Sequence, residues 1–244
     1  MSLFPIVIPS KARPSGSTLR LLQAAGVPFT VYVEPQDHDA YQAQGWNCRV
    51  LETNDQGLPY VRRVILAHAT DWFWMLDDDI TAFYATVKGK AVKTDPRTAL
   101  EASQAYFVDA THIAQASLEY QQFAWRAKQP YALNGYCDVC VAIHAERTRV
   151  CTFRDACDLK LDRDFTLQVL ASGYGTLRVT AYSFACPKNG SNKGGLAPLY
   201  AEQGREALAS QQMAKLWPSV CTPVTKRDGR PDVAINWRAL RPKA

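Results

Sequence analysis

The sequence predicts an α/β fold: a mostly parallel central sheet with flanking helices. Three observations carry that expectation. Short apolar runs rich in branched side chains alternate with helix-period segments through the first third of the chain. The connections between them are short, as βα repeats with right-handed crossovers require. Each predicted strand also ends in polar or charged residues, at the place where open α/β sheets bind ligands.

The elements follow in order. "LFPIVIP" (residues 3–9) is a continuous apolar run, suited to a strand buried on both faces. "SGSTLRLLQAAG" reads as a helix opened by Ser or Thr and stopped by Gly26. "FTVYVE" is a second strand, "QDHDAYQAQG" a short helix ended by Gly45, and "CRVLE" a third strand. "YVRRVILAHA" (60–69) is a helix and "WFWML" (72–76) a fourth strand. Beyond it, residues 95–128 carry a mostly helical pattern, and "VCVAIHA" (139–145) alternates as a strand. "DFTLQVLASG" reads as a helix ended by Gly173, followed by a strand over 176–186. "PKNGSNKGG" (187–195) is a polar, glycine-rich loop, and "PLYAEQGREALASQQMAKLW" reads as one C-terminal helix. With no repeat and no linker, 244 residues fit one catalytic-size domain over 1–225, with halves at 1–90 and 91–225.

Composition narrows the function classes. The chain is 47% hydrophobic and 21% charged, ordinary globular usage, and no apolar run reaches membrane-spanning length. The start of the chain lacks the form of a signal peptide, so a soluble intracellular protein is expected. Seven cysteines, an odd number, argue for reduced thiols rather than a disulfide framework. Cys137 and Cys140 form a C-x-x-C, but Cys151 and Cys157 are spaced C-x5-C, so packed thiols are favoured over a zinc site. Net charge is +5, and residues 226–244 form a basic tail with six basic residues against two acidic, compatible with a polyanion partner.

Four strand ends converge as a candidate site. Strand one leads into Ser10, Lys11 and Arg13, strand two into Glu34, strand three into Asn54 and Asp55, and strand four into Asp77, Asp78 and Asp79. Neither a G-x-G-x-x-G nor a P-loop follows strand one, which argues against a dinucleotide enzyme or P-loop NTPase. In an extended segment Asp77 and Asp79 point the same way, so two carboxylates can hold Mg2+ or Mn2+ together with substrate phosphate oxygens, with Asp78 turned elsewhere. The same acids at a helix N-terminus would be the structural alternative. His112 and His144 lack acidic or cysteine neighbours at ligand spacing and read as structural.

"VIPSKARPSGSTLRLLQAAGVPFTVYVEPQDHDAY", "NDQGLPYVRRVIL", "WFWMLDDDITAF", "LDRDFTLQVLASGYGTLRV" and "NGSNKGGL" together resemble the TET-associated glycosyltransferases of phages, of glycosyltransferase-A fold. The resemblance covers roughly residues 4–200 in order. It implies transfer of a sugar from a nucleotide-sugar, a UDP-sugar foremost, to 5-hydroxymethylcytosine or 5-hydroxymethyluracil in phage DNA. A TET-like dioxygenase would make the acceptor hydroxyl, and the location would be the cytoplasm of the infected bacterium.

Carried onto this sequence, the resemblance implies that Ser10, Lys11, Arg13 and Glu34 hold the nucleoside and diphosphate. Asp77 and Asp79 would be the D-x-D metal pair, Mn2+ or Mg2+, with Asp78 turned away or on the donor. Asp162 and Asp164 match an acidic motif that holds a general base, although Leu161 stands where a glutamate is expected. Asp162 is then the better base and Asp164 a helix N-cap. Arg62 is a diphosphate contact or else an exposed helix arginine, and Lys188 and Lys193 suit a lid over the diphosphate. Two rivals stand beside this reading. One is a glycosyltransferase acting on a glycan or protein. The other is a non-catalytic nucleic-acid-binding protein using the basic tail and the aromatics of residues 120–125.

Overall fold

A computed structural model describes residues 2–187 and 194–240. The first half is the expected βα alternation: β1 (Ile6–Pro9), α1 (Ser17–Ala24), β2 (Thr30–Val33), α2 (His38–Gln42), β3 (Cys48–Val50), α3 (Gly57–His68) and β4 (Trp72–Leu76). There follow β5 (Ala82–Val87), β6 (Lys90–Thr94), α4 (Pro96–Gln104), β7 (Ile113–Tyr120), α5 (Gln121–Ala124), β8 (Tyr131–Leu133) and β9 (Cys140–His144). The chain then runs through α6 (Leu161–Ala171), β10 (Gly175–Ala185), α7 (Ala197–Ala201), α8 (Arg205–Leu216), β11 (Cys221–Thr225) and β12 (Pro231–Ile235).

Ten strands form one sheet in the order β3-β2-β1-β4-β9-β7-β10-β5-β6, with β8 on β10. Strands β1 to β4 are parallel, β9 is antiparallel to β4 and β7, and β10 is parallel to β7. With β5 and β8 antiparallel to β10 and β6 antiparallel to β5, seven of the ten strands run in one direction. The sheet is thus mixed but mostly parallel. One face carries α1 and α4 on Trp72, Trp74 and Leu76; the other carries α3 and α6 on Phe73 and Met75. Period-two alternation across a strand buried on both sides explains why β4 is apolar throughout.

Several sequence expectations need correction. Residues 95–128 are not mostly helical. Asp95 caps α4 by accepting from the Thr98 amide, but Ile113–Tyr120 is a central strand. Its Gln115 and Ser117 are polar yet buried, so a pattern reading takes them for the wet face of a helix. The β5–β6 hairpin turns at Lys88 and Gly89, both with positive φ, the geometry that a two-residue primed turn needs. The expected single C-terminal helix is two, broken where Gly204 takes φ +81°. Helix α1 is capped by Gly16 rather than a hydroxyl, because Thr18 spends its side chain elsewhere. Cys137 packs on one face of the sheet and Cys140 on the other, so the pair cannot share a metal.

The basic segment from residue 226 is also not a free tail over its described length. Residues 231–235 form β12, paired with β11, and Val233 joins a third apolar cluster with Leu167 and Met213. One carboxylate pins this hairpin to α6. Buried Asp232 accepts from Lys160 at 3.0 Å, Arg163 at 2.7 Å and Lys226 at 2.7 Å. Burial opposes its charge, but these three cations hold its carboxyl well below the usual range. Its contribution is therefore present above about pH 3.9, the unfolded aspartate value, and weakens as pH falls below that. Asp232→Asn leaves buried Lys160 without its ion-pair partner and is expected to cost about 3 kcal/mol at neutral pH, read by urea unfolding. The deficit against wild type should shrink in acid.

Candidate active site

The site forms along one edge of the sheet, and the mixed topology decides what reaches it. Parallel strands β1, β2, β4, β7 and β10 contribute residues at their carboxyl ends, whereas antiparallel β9 contributes the residues before its start. Ser10, Glu34 and Asp77 arrive by the first route, Asp138 by the second.

The aspartate triplet is held by the first turn of α1. The Thr18 hydroxyl donates to the Asp77 carbonyl at 2.6 Å and accepts from the Ile80 amide at 2.8 Å, while the Thr18 amide donates to the Asp78 carbonyl. A Cβ on Gly16 would lie 2.7 Å from that same carbonyl, so only glycine allows this approach. The chain turns at 78–79 instead of staying extended, leaving Asp77 on Arg62 and Asp78 and Asp79 near Arg13.

Asp78 points toward the strand-one loop. Buried, it accepts from Ser10 Oγ at 2.5 Å and from Arg13 Nη1 at 2.8 Å. Tyr41 braces the same loop: its hydroxyl lies 2.7 Å from Ser10 Oγ and accepts from the Arg13 amide. Arg13 also donates to the carbonyl of Gly194, and Asp79 lies 3.9 Å from Arg13. Lys11 bridges buried Glu34 and exposed Asp55; burial works against its charge, but the two carboxylates raise its pKa. Sequence-predicted Ser10, Arg13 and Asp78 thus form one polar network, and Lys11 and Glu34 a second beside it on the same strand-one loop. Lys188 and Lys193 lie outside the described residues.

Asp77 points the other way, to Arg62. That guanidinium is 2% exposed, donates to Asp77 at 2.9 Å and to Asp162 at 2.5 Å, and lies over Phe153 at 5.4 Å. Arg62 is therefore neither exposed nor open to a diphosphate, which corrects the sequence expectation. Its five-donor fork instead ties the two acids together. Withdrawal from water raises the Asp77 pKa, with Asp162, Asp79 and Asp78 adding to the rise and Arg62 opposing it.

Asp162 and Asp164 part company. Helix α6 begins at Leu161, so both lie inside its first turn and two helical positions set them about 200° apart. Asp162 faces Arg62 and keeps 23% exposure. Asp164 is fully buried, accepting from Trp217 Nε1 at 2.8 Å and Gln168 Nε2 at 2.7 Å. It is an anchor for the C-terminal segment, neither a base nor an N-cap.

Asp138 escapes a sequence reading that looks only at the ends of strands. Its one clue is an acid inside an apolar, strand-like segment. It is buried, accepts from the Tyr120 hydroxyl at 2.6 Å and has Arg178 at 3.6 Å, while its Oδ1 has no hydrogen-bond partner among the described residues. Burial raises its pKa to about 6 against the pull of Arg178 and Tyr120. Beside it, Val139 takes φ +60°, and the Cys140 amide donates to the Asp138 carbonyl at 2.6 Å. A branched residue in this tight turn is strained, of order 1–3 kcal/mol. The turn aims the Val139 carbonyl at the Asp77 amide, 2.9 Å away.

Carboxylate oxygens suit a hard cation. The described residues include no group of three or more His, Cys, Asp or Glu arranged to hold one. One oxygen of Asp77 is already taken by Arg62, so Asp77 and Asp79 would fill only part of a Mg2+ or Mn2+ shell, and substrate phosphate oxygens would have to complete it.

A family model, TET-associated glycosyltransferase, matches residues 4–195. None of the curated proteins matches the sequence. Similar solved structures include GalNAc-T7 with UDP, GalNAc and Mn2+, at 9% identity over 88% of this chain and 52% of that one, TM-score 0.49. They also include A197 from STIV (11% identity, 77% and 87% coverage, TM-score 0.46) and GlyE of Streptococcus pneumoniae TIGR4 (12%, 90% and 44%, 0.35). The chain thus spans about half the length of GalNAc-T7 and somewhat less of GlyE. These likenesses are of outline and say nothing of the site.

The raised pKa of Asp138 has a signed consequence. The folded protein holds a proton there from about pH 4 to 6 that the unfolded chain has lost, so stability falls as pH rises through that window. Asp138→Asn removes that penalty. Urea unfolding should find it as stable as wild type at pH 4 and more stable by up to about 3 kcal/mol at pH 7.

Proposed function

The chain belongs to the TET-associated glycosyltransferase family, and on that premise we propose that it transfers a sugar from a nucleotide-sugar, a UDP-sugar foremost, to the hydroxyl of 5-hydroxymethylcytosine or 5-hydroxymethyluracil in DNA. The observation that carries the reading is the Arg62 fork, which sets Asp77 and Asp162 on opposite sides of one buried cation at the sheet edge. Asp77 belongs to the same turn as Asp78, whose network with Ser10 and Arg13 would receive the donor, and Asp162 belongs to the second half of the chain, where an acceptor would approach.

The chemistry is a displacement at the sugar's anomeric carbon. The acceptor oxygen forms a bond to that carbon, the bond to the phosphate oxygen breaks, and the nucleoside diphosphate leaves. The hydroxyl proton passes to a carboxylate. Asp162 suits that role through its second oxygen, since Arg62 orients the first and the side chain keeps access to solvent. Asp79 and the oxygen of Asp77 that Arg62 does not hold would bind Mn2+ or Mg2+, which would act as a Lewis acid on the charge of the leaving diphosphate. Asp138 is a second base candidate, favoured by its raised pKa and by an Oδ1 whose nearest cation, Arg178, lies beyond hydrogen-bond distance at 3.6 Å.

Incubation with hydroxymethylated DNA, Mn2+ and a panel of nucleotide-sugars, read by nucleoside mass, tests the proposal directly. A mass gain of one sugar is expected with at least one donor, and no gain with any donor would refute it. Asp79→Ala should abolish transfer; a rate within a few-fold of wild type would remove Asp79 from the metal role. Asp162→Asn should lower kcat by about a hundredfold or more with donor affinity kept. If Asp138→Asn does so instead, and the wild-type rate rises with pH through about 6, the base is Asp138. A glycan acceptor would show little of the steep salt dependence expected of DNA.

A further inference from the structure

Next to Asp162 in the chain, Lys160 and Arg163 line a cleft of about 320 Å³ between the start of α6, α7 and the turn of the β11–β12 hairpin. Its polar lining is Lys160, Arg163, Lys226 and Arg230, with Tyr136 and Tyr200; Glu206 is its one acid. Three of the cations share the single carboxylate of Asp232, whose two oxygens cannot use all their N–H donors. The start of α6, an 11-residue helix, adds its positive end. The cleft is therefore basic by construction, four cations against one lining acid.

Its position relative to the reacting groups is fixed by two links. Lys160 and Arg163 flank Asp162 in one helical turn. Tyr136 stacks on Trp237 at 5.8 Å with Arg163 and Arg178 over its ring at 5.6 Å each, and its hydroxyl acts on both Asp138 and Arg163. Along the sheet, β1 to β3 lie on one side of Asp77 and β9 and β7 on the other. The network of Ser10, Arg13 and Asp78 belongs to the first group; this cleft adjoins the second through Tyr136, while its α7 wall is tied to Arg13 through the Gly194 carbonyl.

We propose that the cleft binds a backbone phosphate of the nucleic-acid acceptor, with Lys226 and Arg230 as its accessible contacts and Arg163 behind them. The inference rests on the acceptor reading above. A phosphate here has two conceivable sources, the acceptor's phosphodiester and the donor's diphosphate, and the test separates them. Lys226→Ala/Arg230→Ala is compared with wild type for binding of a short labelled hydroxymethylated oligonucleotide by anisotropy, and of UDP by calorimetry. Oligonucleotide affinity should fall about tenfold or more, and the slope of log affinity against log salt should flatten by about 2, with UDP affinity unchanged. Lys90→Ala/Lys93→Ala on β6 should alter neither. Arg230→Ala alone, whose ion pair is with Asp228 in its own turn, keeps the test valid should losing Lys226 loosen the hairpin. Loss of UDP affinity with oligonucleotide binding intact would assign the cleft to the donor and overturn the proposal. Equal oligonucleotide binding by wild type and variant would overturn it while leaving the acceptor reading standing. No oligonucleotide binding by wild type would remove both.

Discussion

Everything at the sheet edge depends on a buried arginine. Three consecutive aspartates at the end of an apolar strand repel one another, and the first, Asp77, also has Asp162 nearby. A guanidinium placed between Asp77 and Asp162 converts that repulsion into two charge-assisted hydrogen bonds, and its planar fork fixes both carboxylates in direction. A lysine would supply one charge without the fork. The arrangement also joins the halves of the chain: Arg62 and Asp77 come from the βα half, Asp162 from α6. The β4–β9 and β5–β10 pairings join the halves, and this contact locks them at the sheet edge; losing either acid would leave the buried Arg62 charge only half compensated.

The rest of the triplet is resolved by a different device. Asp78 is spent on structure, locked by Ser10, Arg13 and the backbone clamp of Thr18, which frees the chain to turn at once and return as β5. Sequence spacing suggests one metal facing two alternate aspartates. The structure shows two arginines already sharing the load, one on each side of the turn. Much of the triplet's charge is therefore balanced within the protein itself.

What was legible in the sequence follows from what periodicity records. The first half repeats strand and helix with short loops, so its elements and polar strand ends are readable, and so is the convergence of Ser10, Glu34 and Asp77. Pattern fails where polarity and burial disagree. Gln115 and Ser117 sit inside β7, Arg62 inside α3 and Asp164 inside α6, and each reads as surface because charge or polarity normally means water. It fails again at Asp138, since the rule about carboxyl ends of strands is a rule for parallel neighbours. An antiparallel strand brings its beginning to the same edge, and only the sheet order reveals which strand that is.

Those failures share a location, and that bears on function. A chain optimised for stability alone would not bury Arg62 with its Nε unbonded, bury the Asp138 carboxylate with its Arg178 partner held off at 3.6 Å and hold Val139 at positive φ within one small region. Each feature costs free energy that the two apolar cores on either face of the sheet must offset. Their clustering around Asp77, at the edge where the topology gathers strand ends and one strand beginning, is what a pre-organised polar site requires. Its dipoles and charges are set before a substrate arrives, so that little rearrangement accompanies the reaction. The cluster joins an acid-rich crevice to a base-rich cleft across a single turn of α6. A ligand that presents a hydroxyl to Asp162 while resting an anion on Arg163 and Lys226 would match both at once.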